Sequence, residues 1–328
     1  MKAIVVKGDN EAPVLVWEAV EEVEFAVDEV LVAVRATAVN RADLLQARGG
    51  YAPPEGASEI LGLEMAGVIE AVGEEVVDWQ VGDRVCALLP GGGYAEKAAV
   101  PAEMLMKLPD EWTFAQGTAV PEVWFTAFVN LFLEGDLQSG ETVLLHAGAS
   151  GVGTAAIQLA KAIGATVFVT ASMPEKLRRC RELGADLAVN YKEEDFLTAV
   201  QEATEGKGVD VILDPVGGSY LQRNVEALAR FGRLVNIGLL GGVAGEINMG
   251  LLLRKRLKII GSTLRTRSLS EKIDITQQFS QRFWPALASG ALQPVIDSTF
   301  PIREAQQAHA YVAANKNTGK VVLLLEPG

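Results

Sequence analysis

Residues 142–154, Thr-Val-Leu-Leu-His-Ala-Gly-Ala-Ser-Gly-Val-Gly-Thr, constrain the fold of this chain more than any other stretch. An apolar run enters a glycine-rich turn, and an amphipathic helical pattern leaves it. Gly148, Gly151 and Gly153 supply the tight turn and let backbone N–H groups approach a pyrophosphate at the helix start. A lone glycine cluster is a weak signal, because many strand-to-helix turns carry glycine for steric reasons. Here it opens the first of six repeating units. Apolar strands are expected at Thr142–Ala147, Thr166–Thr170, Leu187–Asn190, Val209–Leu213, Arg233–Ile237 and Lys258–Leu264. Helical patterns separate them at Val152–Ile163, Glu175–Leu183, Glu193–Thr204 and Tyr220–Phe231. Continuous apolar strands alternating with amphipathic helices predict a parallel sheet covered on both faces. Six strands complete a doubly wound dinucleotide-binding fold.

The second strand of that fold selects the cofactor. An NAD-selective site places Asp or Glu at its tip, about 20 residues past the glycine turn, to bind the ribose 2′-hydroxyl. The tip here reads Thr170-Ala171-Ser172 and carries no acid. Glu175 is the nearest, but Ser172-Met173-Pro174-Glu175 reads as a capping box with Ser172 at the N-cap. Ser172 and Lys176 then stand beside the 2′ position, with Tyr191 at the end of the third strand. A hydroxyl and a cation suit a 2′-phosphate, so NADPH is the expected cofactor. The competing reading makes Lys176 a solvated surface lysine.

Around the doubly wound region the texture differs. The first ~120 residues read as β-rich, with short β-branched runs at Ala3–Val6, Val30–Val34 and Gly67–Val72 broken by turns. Pro90-Gly91-Gly92-Gly93 reads as a loop. After about residue 265 one long helix is expected at Ile273–Ser289, kinked at Pro285. A short helix at Arg303–Asn315 and a final strand at Lys320–Leu325 follow, and this tail is expected to rejoin the first domain.

Composition closes several function classes. A net charge of −13 argues against nucleic acid and against an anionic membrane surface, both of which need a basic face. The most apolar stretch, Val120–Leu133, contains Pro121 and Glu122 and is too short to span a bilayer, and the N-terminal run is too short for a signal peptide. With two cysteines, Cys86 and Cys180, no disulfide framework is needed, and the cytoplasm is the expected compartment. Two histidines, His146 and His309, complete a set too small and scattered for a catalytic or structural zinc. His146 reads as a packed histidine of the first doubly wound strand. There is no Gly-x-Ser-x-Gly elbow, which speaks against a serine hydrolase.

The chain resembles the zinc-free, zeta-crystallin-like quinone oxidoreductase branch of the medium-chain dehydrogenase/reductases. The resemblance spans nearly the whole sequence. It is carried by Asn40-Arg41-Ala42-Asp43 followed by Tyr51, Gly62-Leu63-Glu64, Leu88–Gly93, Pro121-Glu122, His146–Lys161, Asn190-Tyr191 and Asn315–Lys320. In zinc-dependent relatives a Cys stands at the place of Asn40 and a His at that of Leu63. Ser150 stands where the family usually carries glycine. The resemblance implies an α/β molecule, with a GroES-like β-barrel catalytic domain over residues 1–121 and 266–328. The Rossmann NADPH-binding domain, residues 122–265, is inserted between the two segments.

It further implies nicotinamide near Asn40, Asp43, Tyr51 and Thr126. The rest of the cofactor would lie on Ala147, Ser150, Gly151, Val152, Gly153, Ser172, Lys176, Tyr191 and Asn315. Reduction of an ortho- or para-quinone is the expected reaction, because the hydroquinone anion is delocalised and hydrogen-bond donors suffice. Tyr51 and Asn40 are the expected donors. The competing readings make Asn40 a turn amide and Tyr51 a loop aromatic that covers the cofactor. Two alternatives stay open: reduction of C=C bonds in enones, enals or enoyl thioesters, and a non-enzymatic NADPH-binding role. The sixth strand, an apolar edge, predicts a homodimer.

Overall fold

The structure is a computed structural model that describes residues 1–325. It divides into two compact units, one built from Met1–Phe125 together with the segment from Arg265 onward, the other from Thr126–Leu264.

The first unit begins with an antiparallel pair, β1 (Lys2–Lys7) and β2 (Val14–Ala19). The long β3 (Glu29–Val39) leads into the short helix α1 (Arg41–Ala47). Then come β4 (Glu64–Val72), β5 (Arg84–Leu88), β6 (Lys97–Pro101) and β7 (Met106–Lys107). Helix α2 (Phe114–Thr118) follows, and α3 (Pro121–Phe128) carries the chain from the first segment into the second unit. Alternation along β3, with Val30, Val32, Val34 and Ala36 all buried, is the signature of a strand packed on a core.

The second unit alternates strand and helix: β8 (Thr142–Leu145), α4 (Gly151–Ala162), β9 (Thr166–Ala171), α5 (Pro174–Glu182), β10 (Leu187–Asn190), α6 (Phe196–Ala203) and β11 (Val209–Asp214). It continues through α7 (Leu221–Ala227), β12 (Leu228–Asn236), α8 (Met249–Lys255) and β13 (Lys258–Gly261). The six strands are all parallel, in the order β10-β9-β8-β11-β12-β13. Strand order therefore reverses between β8 and β11, which is where an open α/β sheet binds ligands. Leu144, Ile212 and Leu234 of three neighbouring strands are wholly buried with Val200 of α6, and each such side chain contributes about 1.5–3 kcal/mol.

The tail holds α9 (Leu269–Arg282), α10 (Trp284–Ala288), β14 (Ile296–Pro301), α11 (Ala305–Ala313) and β15 (Lys320–Leu324). β15 pairs antiparallel with β3, Val321 opposite Val39, inside a seven-stranded sheet ordered β14-β15-β3-β4-β5-β7 with β6 also on β3. The tail thus completes the sheet of the first unit.

Several sequence expectations are corrected. The expected kinked helix over Ile273–Ser289 is two helices, broken at Phe283, with Pro285 in the first turn of the second, where a missing N–H costs nothing. The helix over Tyr220–Phe231 stops at Ala227 because Leu228 already pairs with Val209 in the sheet. The strand expected at Lys258–Leu264 ends at Gly261, since its neighbour β12 ends at Asn236. Among the described residues no helix is long and apolar enough to cross a membrane.

Candidate functional site

In the second unit the candidate site is the turn between β8 and α4. Ala147 takes a left-handed backbone, φ +54°, an uncommon conformation for a residue with a Cβ. Ser150 is the N-cap of α4, and its hydroxyl accepts the Gly153 N–H at 3.0 Å. A Cβ on Gly153 would lie 2.5 Å from the carbonyl oxygens of both Ala147 and Gly148, so helix and turn meet only because this residue is glycine. Gly151 and Val152 open the helix, and first-turn N–H groups have no intrahelical acceptor. Those donors, with the positive end of a 12-residue helix dipole, fit a pyrophosphate. Serine in place of the family's usual glycine gives a cap and costs no conformation, because Ser150 is extended.

Ser172 and Tyr191 follow directly on the paired residues Ala171 and Asn190, so they lie side by side at the carboxyl ends of β9 and β10. Tyr191 is exposed, and its N–H donates to Ala171 O. Ser172 is not the helix cap that its spacing suggests. Met173 is the N-cap, with φ −144° and ψ 145°, and Pro174 is the first helical residue. A residue before proline is pushed into the extended region, which moves the helix start one residue along. Ser172 is therefore released from capping. Lys176, in the first turn of α5, is buried and not a solvated surface lysine.

Beneath this edge runs a polar chain. The Asp214 carboxylate accepts the N–H groups of Val216 (2.7 Å) and Gly217 (3.1 Å) and the Asn224 amide (3.0 Å). With its Nδ2 so committed, Asn224 turns Oδ1 to His146 Nε2 at 2.8 Å, which places the imidazole proton on Nε2. His146 Nδ1 then accepts from the Thr170 hydroxyl at 3.0 Å. Burial pushes the His146 pKa down, so the ring is neutral. It joins the ends of β8, β9 and β11 to α7, a structural part.

In the first unit the candidate residues gather around a buried ion pair. Lys320, at the head of β15, donates to Glu64 Oε1 and to Asn40 Oδ1, both at 2.6 Å, and Glu64 and Lys320 are 0% and 3% exposed. Asn40 Nδ2 donates to Glu64 Oε1 at 2.8 Å, and its other hydrogen faces Ala38 O at 3.4 Å. The Glu122 N–H, in the first turn of α3, donates to Glu64 Oε2 at 2.9 Å. The Asn40 amide hydrogens thus face Glu64 and the backbone, as a turn amide's would.

Asp43 is likewise internal. One oxygen accepts the Asn40 N–H (2.7 Å) and the other the Gly62 N–H (3.0 Å). Burial raises its pKa to about 6, against the lowering effect of those two bonds. Tyr94 OH bridges Asp43 (3.4 Å) and His309 Nε2 (3.1 Å), and burial holds His309 down to about 4, neutral at physiological pH.

Tyr51 differs from these, being only partly buried. Its phenol pKa is raised, first by burial and then by the nearby Glu122 charge. The Arg265 guanidinium lies over its ring, 5.3 Å from the centroid. Glu122 is itself pushed up to about 8, by burial first and then by the like charge of Glu64. Thr126 sits in α3, where its carbonyl accepts the Asn130 amide at 2.7 Å. Asn315, φ +53°, follows α11, is exposed, and accepts from Arg41 at 2.5 Å.

Sequence reasoning gave no role to Lys320, Glu64, Glu122 or Arg265. The first three stood inside motifs that were recognised, but their meeting depends on the register of β15 against β3 and offers no local signal. Among the described residues no group of three or more His, Cys, Asp or Glu is arranged to hold a metal ion.

Comparison with known proteins adds the following. Residues 26–110 match the alcohol dehydrogenase GroES-like domain, and residues 151–280 match the zinc-binding dehydrogenase family. The chain is 36% identical to a quinone oxidoreductase of Pseudomonas aeruginosa over 90% of its own length and 91% of the relative's. It is 34% identical to a 2-haloacrylate reductase of a Burkholderia species over 94% of each. Among solved structures, the Escherichia coli quinone oxidoreductase complexed with NADPH aligns with TM-score 0.87 and 29% identity, over 98% of this chain and 99% of that one. The CurK enoyl reductase aligns with TM-score 0.86 and 30% identity, over 99% and 98%.

Proposed function

The chain belongs to the zinc-free quinone oxidoreductase branch of the medium-chain dehydrogenase/reductases, and from that premise we propose that it is an NADPH-dependent reductase of ortho- or para-quinones. As an oxidoreductase of this family it uses a nicotinamide cofactor, which supplies the hydride when bound. The preference for NADPH rests on the tip of β9, where Ser172 is free of capping duty, Tyr191 lies alongside, and Lys176 supplies the cation for a 2′-phosphate. Ala147, Ser150, Gly151, Val152 and Gly153 hold the pyrophosphate. Thr126 and Asn315 keep their proposed places at the cofactor by family resemblance, and Asp43 and Asn40 keep theirs at the nicotinamide as parts of the buried frame of the first unit.

The observation that carries the quinone reading is Tyr51. Both histidines are committed to buried networks and the Asn40 amide is engaged by Glu64, so of the two donors the sequence suggests the partly exposed Tyr51 phenol is the better placed to meet an acceptor's oxygen. A neutral donor suffices for a quinone because the developing anion is delocalised. One observation favours the second reading, reduction of a C=C bond. Glu122, held protonated near Tyr51, is a stronger acid than a phenol, and an enolate carbon needs one. The similarity to a 2-haloacrylate reductase and to an enoyl reductase supports the same alternative.

NADPH and NADH oxidation against a quinone panel and an enone and haloacrylate panel separates the two. We expect turnover with quinones and little with simple aldehydes. Lys176→Ala should weaken NADPH about tenfold to a hundredfold and leave NADH nearly unchanged, since a charge-assisted hydrogen bond is worth about 1.5–3 kcal/mol. Equal affinity of the unmodified protein for both cofactors would sink the cofactor reading, and enone turnover without quinone turnover would replace the substrate reading. Exhaustive chelation should leave the rate unchanged. The chain is further proposed to act in the cytoplasm as a homodimer.

A further inference from the structure

We infer that Arg265 is a positioning residue that locks the Tyr51 loop against the Pro90–Gly93 loop, so that the phenol is held in one place to meet an acceptor. The inference deepens the reading of Tyr51 given above and rests on it.

Arg265 is the first residue of the segment that returns to the first unit, and it is only 4% exposed. Its fork reaches three separate pieces of chain. Nε donates to Pro90 O at 2.8 Å, one terminal nitrogen donates to Gln46 Oε1 at 2.7 Å, and the other faces Tyr51 O at 3.4 Å. Gln46, in the last turn of α1, passes the restraint on, since its Nε2 donates to Glu59 O at 2.9 Å. The guanidinium carbon also lies over the Tyr51 ring, 5.3 Å from its centroid.

Gly49-Gly50 precede Tyr51, Pro53-Pro54 follow it, and three glycines follow Pro90. Backbone bonds anchor the glycines, Gly49 N–H to Gln46 O, Gly50 N–H to Leu45 O, Gly92 N–H to Ile60 O and Gly93 N–H to Gly62 O, and Arg265 extends that hold to Tyr51 itself. Glycine-rich backbone has little intrinsic preference, so this side-chain tie adds to the backbone bonds in holding one conformation. Arginine suits the task because its five N–H donors sit in a rigid plane, and that plane can stack on an aromatic face while its edge bonds carbonyls. Among the described residues no carboxylate lies within ion-pair distance of Arg265, so its bonds are to carbonyl oxygens and serve geometry rather than charge neutralisation. A lysine offers neither the fork nor the stack. Small displacements of a reacting group cost rate steeply, on the order of a hundredfold for an ångström.

The test uses the full-length protein with Arg265→Lys, Arg265→Ala, Tyr51→Phe and the double variant Tyr51→Phe/Arg265→Lys. Arg265→Lys should lower kcat with a quinone about tenfold to a hundredfold, while the NADPH dissociation constant, read by fluorescence, stays within about twofold of the unmodified protein's. In the Tyr51→Phe background the same change should have almost no further effect, because the positioned group is already gone. Guanidinium ion added to Arg265→Ala should restore part of the lost rate. A readout independent of turnover is 19F NMR of protein labelled with 3-fluorotyrosine, the Tyr51 resonance being assigned by its loss in Tyr51→Phe. Arg265→Lys should shift and broaden that resonance and leave the other four in place.

Multiplicative losses in the double variant, or an unmoved Tyr51 resonance, would overturn the inference, and so would unchanged kcat in Arg265→Lys beside an impaired Tyr51→Phe. If Tyr51→Phe keeps full turnover, it is the reading of Tyr51 that fails, and the NMR result alone then decides whether Arg265 holds the loop. Should Arg265→Ala not fold, the lysine variant and its resonance carry the decision.

Discussion

At the scale of single residues, the first unit is organised by charges taken out of water. Breaking a buried ion pair from one side leaves the other charge stranded, at a cost of about 3–5 kcal/mol. Lys320→Met should therefore lower stability by that amount in urea titration at neutral pH, and Lys320→Met/Glu64→Gln should recover a good part of it. Equal loss in the single and double variants would show that Lys320 acts through packing alone. Glu122 makes the opposite prediction. Its pKa is raised to about 8, so the folded chain holds a proton that the unfolded chain releases between the ordinary carboxylate range and about 8. Its penalty is thus complete above about 8 and absent below about 4. Glu122→Gln should raise stability at pH 9 by at least ~1 kcal/mol and change it little at pH 4.5, by denaturation at both values. None of this was legible from residue spacing. Asn40 and Lys320 are separated by most of the chain, and only the β3–β15 register brings the Lys320 ammonium to the Asn40 side-chain oxygen.

At the scale of elements, the sequence was most readable where local rules and packing agree. The β8 turn and the strands of the parallel sheet show in apolar runs because strands buried on both faces must be apolar throughout. Boundaries failed where two local rules competed. At Ser172 a capping pattern suggested one start for α5, and the restriction on the residue before Pro174 imposed another. The α4 turn gives a clean test of what local geometry contributes. Ser150→Ala removes the acceptor of the Gly153 N–H and should cost about 1 kcal/mol, while Ser150→Gly should cost only a few tenths. Ala147→Gly, at φ +54°, should be neutral or stabilising by up to ~1 kcal/mol, because glycine enters that conformation freely. Midpoints from urea unfolding of the three variants decide each case. A loss on Ala147→Gly would mean that the Ala147 methyl packs for more than its backbone strain.

At the scale of the whole molecule, the open question is what covers the end of the parallel sheet. Among the described residues β13 pairs on one side only, and its Ile259 is 41% exposed. The neighbouring chain leaves more apolar surface bare, with Phe231 on β12 and Met249 and Leu253 on α8 all exposed. An unpaired parallel edge with apolar neighbours is a template for another strand, and a twofold axis lets one edge meet its own copy. The strand is shorter than the sequence suggests, four residues ending at Gly261, so backbone pairing alone is a small contact. The flanking apolar side chains must then contribute most of the burial. Light scattering or small-angle X-ray scattering at micromolar concentration should give twice the chain mass. Ile259→Lys places a charge next to its symmetry mate in such a contact and should return the mass to that of one chain without changing the far-ultraviolet circular dichroism. A single-chain mass for the unmodified protein would remove the dimer altogether. A dimer indifferent to Ile259→Lys would instead put the contact on a surface other than the β13 edge.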